Sequence, residues 1–487
     1  MGAPAGHGVV RCGKGGLSAS RVLHSTAPVG STCLPGLFIG GASEGCPAPA
    51  DALTCPRPRK APGPLPCPAA AIKQKECRVS LHAIDPDIAR AIDGEMQRQR
   101  EHLTLVASEN HCPPAVREAV GSVMTDKYAE GYPGARYYGG CERVDDAEGL
   151  AVERITHLFG AEHGNVQPHS GSQANMAVYM AMLGPGAQVL GMSLAHGGHL
   201  THGHPRSFSG QLYEAASYGV DRETGLIDYD QVRRLAQQHN PALIIAGSSA
   251  YSRTIDFGQF GAIAEEVGAY LLADIAHIAG LVAAGLHPSP IPHADLITGT
   301  THKTLRGPRG GFILSRQKHA HSIDSAVMPG IQGGPMMHVI AGKAVCFKLA
   351  ATPEFRQYQT QVLANARAMA DELAGAGFSL VSGGTDNHML MVDLTENGLS
   401  GIEAQNVLAR AHITLNKNAI PYDRRKPSEG SGIRIGTPAV TTRGLTEPDV
   451  RQVARWIAEI LLAPDPAKAA DALKPQVLDL CERFPIP

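Results

Sequence analysis

Thr300-Thr301-His302-Lys303-Thr304-Leu305-Arg306-Gly307-Pro308 lies between two apolar runs, Ala294 to Ile297 and Gly311-Phe312-Ile313-Leu314. Short apolar runs bounded by Gly and Pro read as strands, so Lys303 falls on a strand-to-turn junction and not on a solvated helix face. Enclosure there disfavours the ammonium form and frees the amine to attack a carbonyl. A lysine after a strand is usually a surface lysine. What gives Lys303 weight is the rest of the chain.

Upstream, Asp274 closes the apolar run Ala269-Tyr270-Leu271-Leu272-Ala273. A carboxylate there is expensive to bury unless paired. The plain reading is a cap or a salt bridge. The chemical reading is a partner for a protonated pyridine nitrogen. Pyridoxal phosphate needs such a partner to act as electron sink for an amino acid Cα.

A third stretch, Gln167-Pro168-His169-Ser170-Gly171-Ser172-Gln173-Ala174-Asn175, runs into the helix-like Met176 to Leu183. Small residues at a helix N-terminus leave free N–H groups, where the helix dipole favours an anion. The Ser172 hydroxyl adds a donor. A Ser-Gly-Ser cap without phosphate is the commoner meaning of this motif alone, and no Gly-Lys-Ser/Thr follows to make a Walker loop.

Leu194-Ala195-His196-Gly197-Gly198-His199-Leu200-Thr201-His202-Gly203 holds its histidines among glycines and leucines, without an acidic or cysteine partner nearby. That argues against a metal. An imidazole laid flat on a cofactor ring fits better, with the glycines permitting close backbone approach.

Strand candidates Gln188–Gly191, Leu243–Ala246, Tyr270–Ala273 and Leu296–Thr298 alternate with helical segments such as Phe257 to Val267. The pattern predicts an α/β fold with a mainly parallel sheet flanked by helices. A helical pattern from Ala83 to Gln99 and a strand-like Leu103-Thr104-Leu105-Val106 precede it. A long amphipathic helix, about Ala350 to Leu373, leads to a C-terminal α+β unit with strands near Phe378–Val381 and Leu390–Asp393.

The 487 residues suit two or three domains. With a net charge of −2 there is no electrostatic case for nucleic acid. No run of 18 apolar residues suggests a membrane span. Six of the ten cysteines lie before Arg78, with irregular spacing and no histidine pairing. Cys112, Cys141, Cys346 and Cys481 are scattered, which argues for a reducing, cytoplasmic compartment and against a disulfide framework.

Residues 1–79 are rich in Gly, Pro, Ala, Ser and Cys and read as a disordered, low-complexity extension. Two functional readings compete. One is an acidic-poor transit peptide, which lacks the expected amphipathic arginine periodicity. The other, which we favour, is a segment not normally translated, with the start near Val79.

Several long strings, in order, carry a family resemblance. They are Ala107-Ser108-Glu109-Asn110, Lys127-Tyr128-Ala129-Glu130-Gly131-Tyr132-Pro133-Gly134 and Arg136-Tyr137-Tyr138-Gly139-Gly140-Cys141. After the stretches above come Gly330-Ile331-Gln332-Gly333-Gly334-Pro335, Asn416-Lys417-Asn418-Ala419-Ile420-Pro421 and Ser431-Gly432-Ile433-Arg434-Ile435-Gly436-Thr437-Pro438. From about Leu81 to about Leu462 the chain resembles serine hydroxymethyltransferase, a fold-type I pyridoxal-phosphate enzyme family. The departures are peripheral: the N-terminal extension and Gly149.

The resemblance implies a seven-stranded sheet in a large domain (114–348), a small C-terminal domain (349–487) and an N-terminal arm (80–113) packed on a partner subunit. It implies a homodimer with shared active sites that interconverts serine and glycine, with tetrahydrofolate as cosubstrate and cleavage of 3-hydroxy amino acids as a side activity. Lys303 would bond covalently to pyridoxal phosphate, Asp274 would bind its ring nitrogen and His199 would stack on the ring. Gly171 and Ser172 would hold the phosphate, completed by Tyr128 and Gly334 of the neighbouring subunit. His277, Ser249 and Thr300 would line the ring-oxygen side, and His302 would tune reaction specificity.

Arg434, between apolar neighbours, suits a bidentate carboxylate clamp, with Ser108 as a second donor and Tyr138 nearby. A structural salt bridge is the alternative. Glu130 would move the proton that hydroxymethyl transfer requires. Tyr137 and Tyr138 offer flat surfaces to a pteridine, and Leu194, Gly198, Leu200 and Asn418 match the family's folate contacts. Threonine aldolase or aminotransferase activity is a second reading, which the folate-matching residues and Glu130 oppose. A non-enzymatic paralogue would have lost Lys303, Asp274 or Arg434, and all three are present.

Overall fold

The computed structural model describes residues 80–487, so the reading of residues 1–79 lies outside the described part. After a single helical turn at Leu81–Ile84 comes helix α1 (Pro86–Glu101), capped by the Asp85 side chain on the Ile88 N–H and with Pro at its first position. After α2 (Glu142–Phe159) the chain alternates as expected. It runs through β1 (His163–Asn165), α3 (Gly171–Met182), β2 (Gln188–Met192), β3 (Glu214–Tyr218) and α4 (Tyr229–His239). It continues through β4 (Leu243–Gly247), α5 (Phe257–Val267), β5 (Tyr270–Asp274), β6 (Leu296–Thr300) and β7 (Gly311–Ser315).

These seven strands form one sheet in the order β1-β7-β6-β5-β4-β2-β3. All neighbours are parallel except at β7, which is antiparallel to both β1 and β6. Both faces are covered. Along β4, Ile244 and Ala246 join the larger apolar core, while Leu243 and Ile245 join a second core with Ala174, Val178 and Tyr179 of α3. A strand buried on both sides reads as an unbroken apolar run, which is why its sequence shows no alternation.

Helices α6 (Met337–Ala350) and α7 (Pro353–Gly375) lead to the C-terminal unit. The long helix expected from about Ala350 to Leu373 is α7, which starts where Thr352 caps the Phe355 N–H and Pro353 occupies the first helical position. The unit holds β8 (Ser379–Leu380), β9 (Met389–Asp393), α8 (Gly401–Arg410), β10 (Asn416–Asn418) and β11 (Gly432–Gly436). Its antiparallel sheet has the order β8-β9-β11-β10 and is packed by α9 (Glu447–Leu462) and α10 (Pro466–Arg483) around a third core.

The arm is tied to the rest of the chain by its strand portion. Its strand portion packs on its own chain: Leu103–Thr104 pairs in parallel with Ile413–Thr414, and Leu103 and Leu105 are fully buried in the C-terminal core. Leu105 N donates to Thr414 O at 2.7 Å, and Gly436 N to Leu105 O at 2.8 Å. The Arg443 guanidinium fastens the end of α1, donating to His102 O at 2.9 Å and to Cys481 O at 2.7 Å. Helix α1 itself carries an exposed apolar stripe, Ile88, Ile92 and Met96, at the four-residue spacing of one helix face, and the exposed Ile84 lies just before it.

Candidate active site

In an open α/β sheet the ligand site lies outside the carboxyl ends of the strands. Here those ends deliver Leu194 to Leu200 after β2, Ser249 after β4, Asp274 and His277 at β5, and Thr300 to Lys303 after β6. With Gly171 and Ser172 at the start of α3, they line one cavity of about 500 Å3, joined by Ser108, Asn418 and Arg434. Leu194, Gly198, Leu200 and His302 line it as well.

Asp274 is the most elaborately held group. Its Oδ2 accepts from Asn175 Nδ2 at 2.9 Å and faces His202 Nε2 at 3.0 Å, while Oδ1 accepts from the Ala276 N–H at 3.1 Å. Asn175 Nδ2 also donates to Thr201 Oγ1 at 2.8 Å, and Asn175 Oδ1 accepts from Thr298 Oγ1 at 2.6 Å. Thr201 Oγ1 in turn lies 2.7 Å from His199 Nδ1. Burial opposes the carboxylate charge, but His202, His199 and Asn175 outweigh it and hold the acid well below its usual range. A buried carboxylate kept ionised, with no lysine or arginine within ion-pair distance among the described residues, suits a cationic ring nitrogen.

Sequence reasoning missed Asn175 and His202. Both lay inside strings already singled out. Asn175 is one helical turn after Gly171, and His202 is three residues after His199. Only the fold shows that both reach the same carboxylate.

Burial pushes the Lys303 amine down to about 8, with Asp274 opposing. His199 is pushed down to about 4 and His302 to about 3, in both cases chiefly by burial. His277, 4 % exposed, falls well below the imidazole range for the same reason, reinforced by Lys303 and Arg434. All three are neutral rings at pH 7. His277 Nδ1 lies 3.4 Å from Nε2 of the fully buried His388, a neighbour with no signal in the sequence. Thr300 Oγ1 donates to Ala276 O at 3.0 Å, locking β6 to the turn after β5.

At the phosphate end, Ser170 Oγ caps the Gln173 N–H, and the first intrahelical bond runs from Ala174 N to Ser170 O. The Gly171 and Ser172 N–H groups precede it and are left for an anion. A Cβ at Gly171 would lie 2.7 Å from Thr300 Cγ2, so any side chain there would have to push the Thr300 methyl group aside. Reactive amine, ionised carboxylate, flat neutral imidazole and anion-ready helix start fit pyridoxal phosphate.

Arg434, on β11, donates from Nη1 to Ser249 O at 2.6 Å and from Nε to Asn416 Oδ1 at 3.2 Å. Among the described residues it has no carboxylate within ion-pair distance. Desolvation lowers even this guanidinium to about 10. The salt-bridge alternative therefore has no partner here.

A model of the serine hydroxymethyltransferase family matches residues 81–457. The chain belongs to the serine hydroxymethyltransferase family. It is accordingly a fold-type I, pyridoxal-phosphate-dependent transferase that interconverts serine and glycine with tetrahydrofolate as cosubstrate.

A second group of expected site residues lies apart from the cavity. Tyr128, Tyr137 and Tyr138 are 56 %, 71 % and 48 % exposed. Glu130 is held between two of them: Tyr128 OH lies 3.1 Å from Oε1 and Tyr138 OH 3.4 Å from Oε2. Gly334 packs against the Tyr128 ring, where a Cβ would lie 3.0 Å from Cζ. Glu130 and Tyr137 line a different hollow, beside Met328 to Gly333. One chain thus holds two partial constellations: the Lys303 cavity, and an exposed tyrosine–glutamate surface.

Proposed function

We propose that the chain acts as a homodimer in which the Tyr128–Glu130–Tyr138 surface of each protomer completes the Lys303 cavity of the other. Two features support this: exposed aromatic rings around a carboxylate are costly unless covered, and the apolar stripe on α1 offers a dimer face.

The observation that carries the substrate reading is Arg434, an enclosed guanidinium without a carboxylate partner, in the cavity of Lys303 and Asp274. Arg434 binds the serine carboxylate, and the Ser108 hydroxyl adds a donor; together they orient the bonds at Cα. When bound, pyridoxal phosphate supplies an electron sink for the pair left at Cα. Lys303 furnishes a neutral amine at mildly alkaline pH. Asp274 stays ionised against the ring nitrogen, and His199 offers its ring face. Glu130, from the other protomer, moves the proton at the serine hydroxyl oxygen. Tyr137 and Tyr138 with Leu194, Gly198, Leu200 and Asn418 form the folate surface.

Because Lys303, Asp274 and Arg434, which take up cofactor and amino acid, share one cavity without any folate, 3-hydroxy amino acids are cleaved slowly in its absence. The four described cysteines are free thiols, consistent with the reducing cytoplasm, and a fluorescent fusion of the full chain tests that location. Co-expression of Lys303→Ala and Glu130→Gln chains tests the shared site. A mixed dimer has one doubly altered site and one intact site, so activity returns on mixing two inactive proteins. Failure to recover activity from verified mixed dimers places both groups in a single chain's site.

A further inference from the structure

Lys343, in the middle of α6, is 1 % exposed and has no carboxylate within ion-pair distance among the described residues. Its Nζ donates to Val166 O at 2.6 Å, Gly311 O at 2.8 Å and Pro168 O at 3.0 Å. An ammonium has three N–H donors, whereas a neutral amine has two and a lone pair that would face a carbonyl oxygen. The geometry therefore calls for the charged form, although burial lowers the amine to about 7 against the opposing pull of Glu148.

Two of the three carbonyls belong to the loop that feeds the start of α3. The rest of that loop is held in the same way. Gln332 Nε2 donates to Gln167 O at 3.0 Å, its Oε1 accepts from the His169 N–H at 3.0 Å, and the Gly311 N–H reaches Pro168 O at 3.0 Å. The carbonyls of Val166, Gln167 and Pro168 and the His169 N–H are thus consumed from behind, leaving the N–H groups of Gly171 and Ser172 for an anion.

We infer that Lys343 is a positioning residue for the cofactor phosphate: it fixes the loop before Ser170 from its buried side and places one positive charge behind the anion-binding start of α3. The inference rests on the assignment of the phosphate to Gly171 and Ser172. A charge enclosed in a low-dielectric interior acts on a nearby dianion with little screening.

The test compares pyridoxal phosphate with pyridoxal, which has the same ring and aldehyde but no phosphate, on full-length protein stripped of cofactor. Lys343→Met should weaken pyridoxal phosphate about tenfold or more while leaving pyridoxal within about twofold. A merely structural lysine would weaken both ligands equally, and an equal loss, or no loss, overturns the inference. Ser172→Ala should shift the same ratio; if it does not, the phosphate assignment fails and the inference with it. A shift with Ser172→Ala but none with Lys343→Met overturns the role of Lys343 alone. If Lys343→Met does not fold, Gly310→Ala decides by the same ratio, since its methyl would lie 2.5 Å from Lys343 Cε and 3.0 Å from Nζ.

Discussion

His202 Nε2 lies 3.0 Å from Asp274 Oδ2, a buried contact that holds the carboxylate ionised and aligned. His202→Ala removes one of its three polar contacts. A hydrogen bond to a charged group is worth about 1.5–3 kcal/mol, so cofactor affinity should fall roughly ten- to hundredfold. Equilibrium dialysis of pyridoxal phosphate measures it, and unchanged affinity would show that Asn175 and the Ala276 N–H suffice.

Arg434→Ala should leave the cofactor bound but weaken serine strongly. Losing one partner of an enclosed, charge-assisted pair costs on the order of 3–5 kcal/mol. Spectral titration of the loaded enzyme with serine gives the dissociation constant. A value within twofold of the parent, against roughly a hundredfold loss expected at the least, would remove the carboxylate clamp.

Glu130→Gln should cripple folate-dependent transfer while sparing folate-independent cleavage of a 3-hydroxy amino acid, because the amide keeps the shape but cannot shuttle a proton. Parallel assays of the two reactions check this. Equal losses would assign Glu130 a structural part in the tyrosine surface.

The nucleophilic form of Lys303 is the neutral amine, whose fraction grows as pH rises through about 8. The rate at which cofactor-stripped protein captures pyridoxal phosphate should therefore rise about tenfold between pH 7 and pH 9 and then flatten. A stopped-flow absorbance series checks it. A rise continuing to pH 10 would return the amine to its ordinary range.

His388 is lowered to about 3 by burial, against about 6.5 for an ordinary histidine. Between those values the unfolded chain takes up a proton that the folded chain refuses, so stability falls as pH falls below 6.5. His388→Asn abolishes that contribution. Relative to the parent, the variant should gain about 2 kcal/mol on going from pH 7.5 to pH 5. Denaturant unfolding at the two pH values measures the gain; none would mean that His388 is charged in the folded protein.

Local signals made the sheet readable. The runs at Leu243–Ala246 and Tyr270–Ala273 are apolar throughout because both faces are buried, and Asp256 and Gly268 bracket α5 as cap and left-handed stop. Lys303, Asp274 and the Ser170–Ser172 turn stood out because each breaks an apolar pattern. His163–Asn165 and Glu214–Tyr218 did not. The first is short and polar, and the second is an edge strand with exposed Glu214, Ala215 and Ser217. Nothing local marks His388 or Lys343 either, since their meaning lies in partners 32 to 177 residues away. The grouping of Glu130 apart from Lys303 is likewise a property of the fold and not of either string.

The pairing of Leu103–Thr104 with Ile413–Thr414 sets an order of events during synthesis. His102 and Thr414, which meet at 2.9 Å, are 312 residues apart in the chain. At about 5–20 residues per second on the ribosome, Leu103 and Leu105 wait roughly 15–60 s for the surface that covers them. The C-terminal core closes only once material from both sides of the large sheet has emerged, so a nascent chain stalled before Ile413 presents a sticky apolar segment to chaperones.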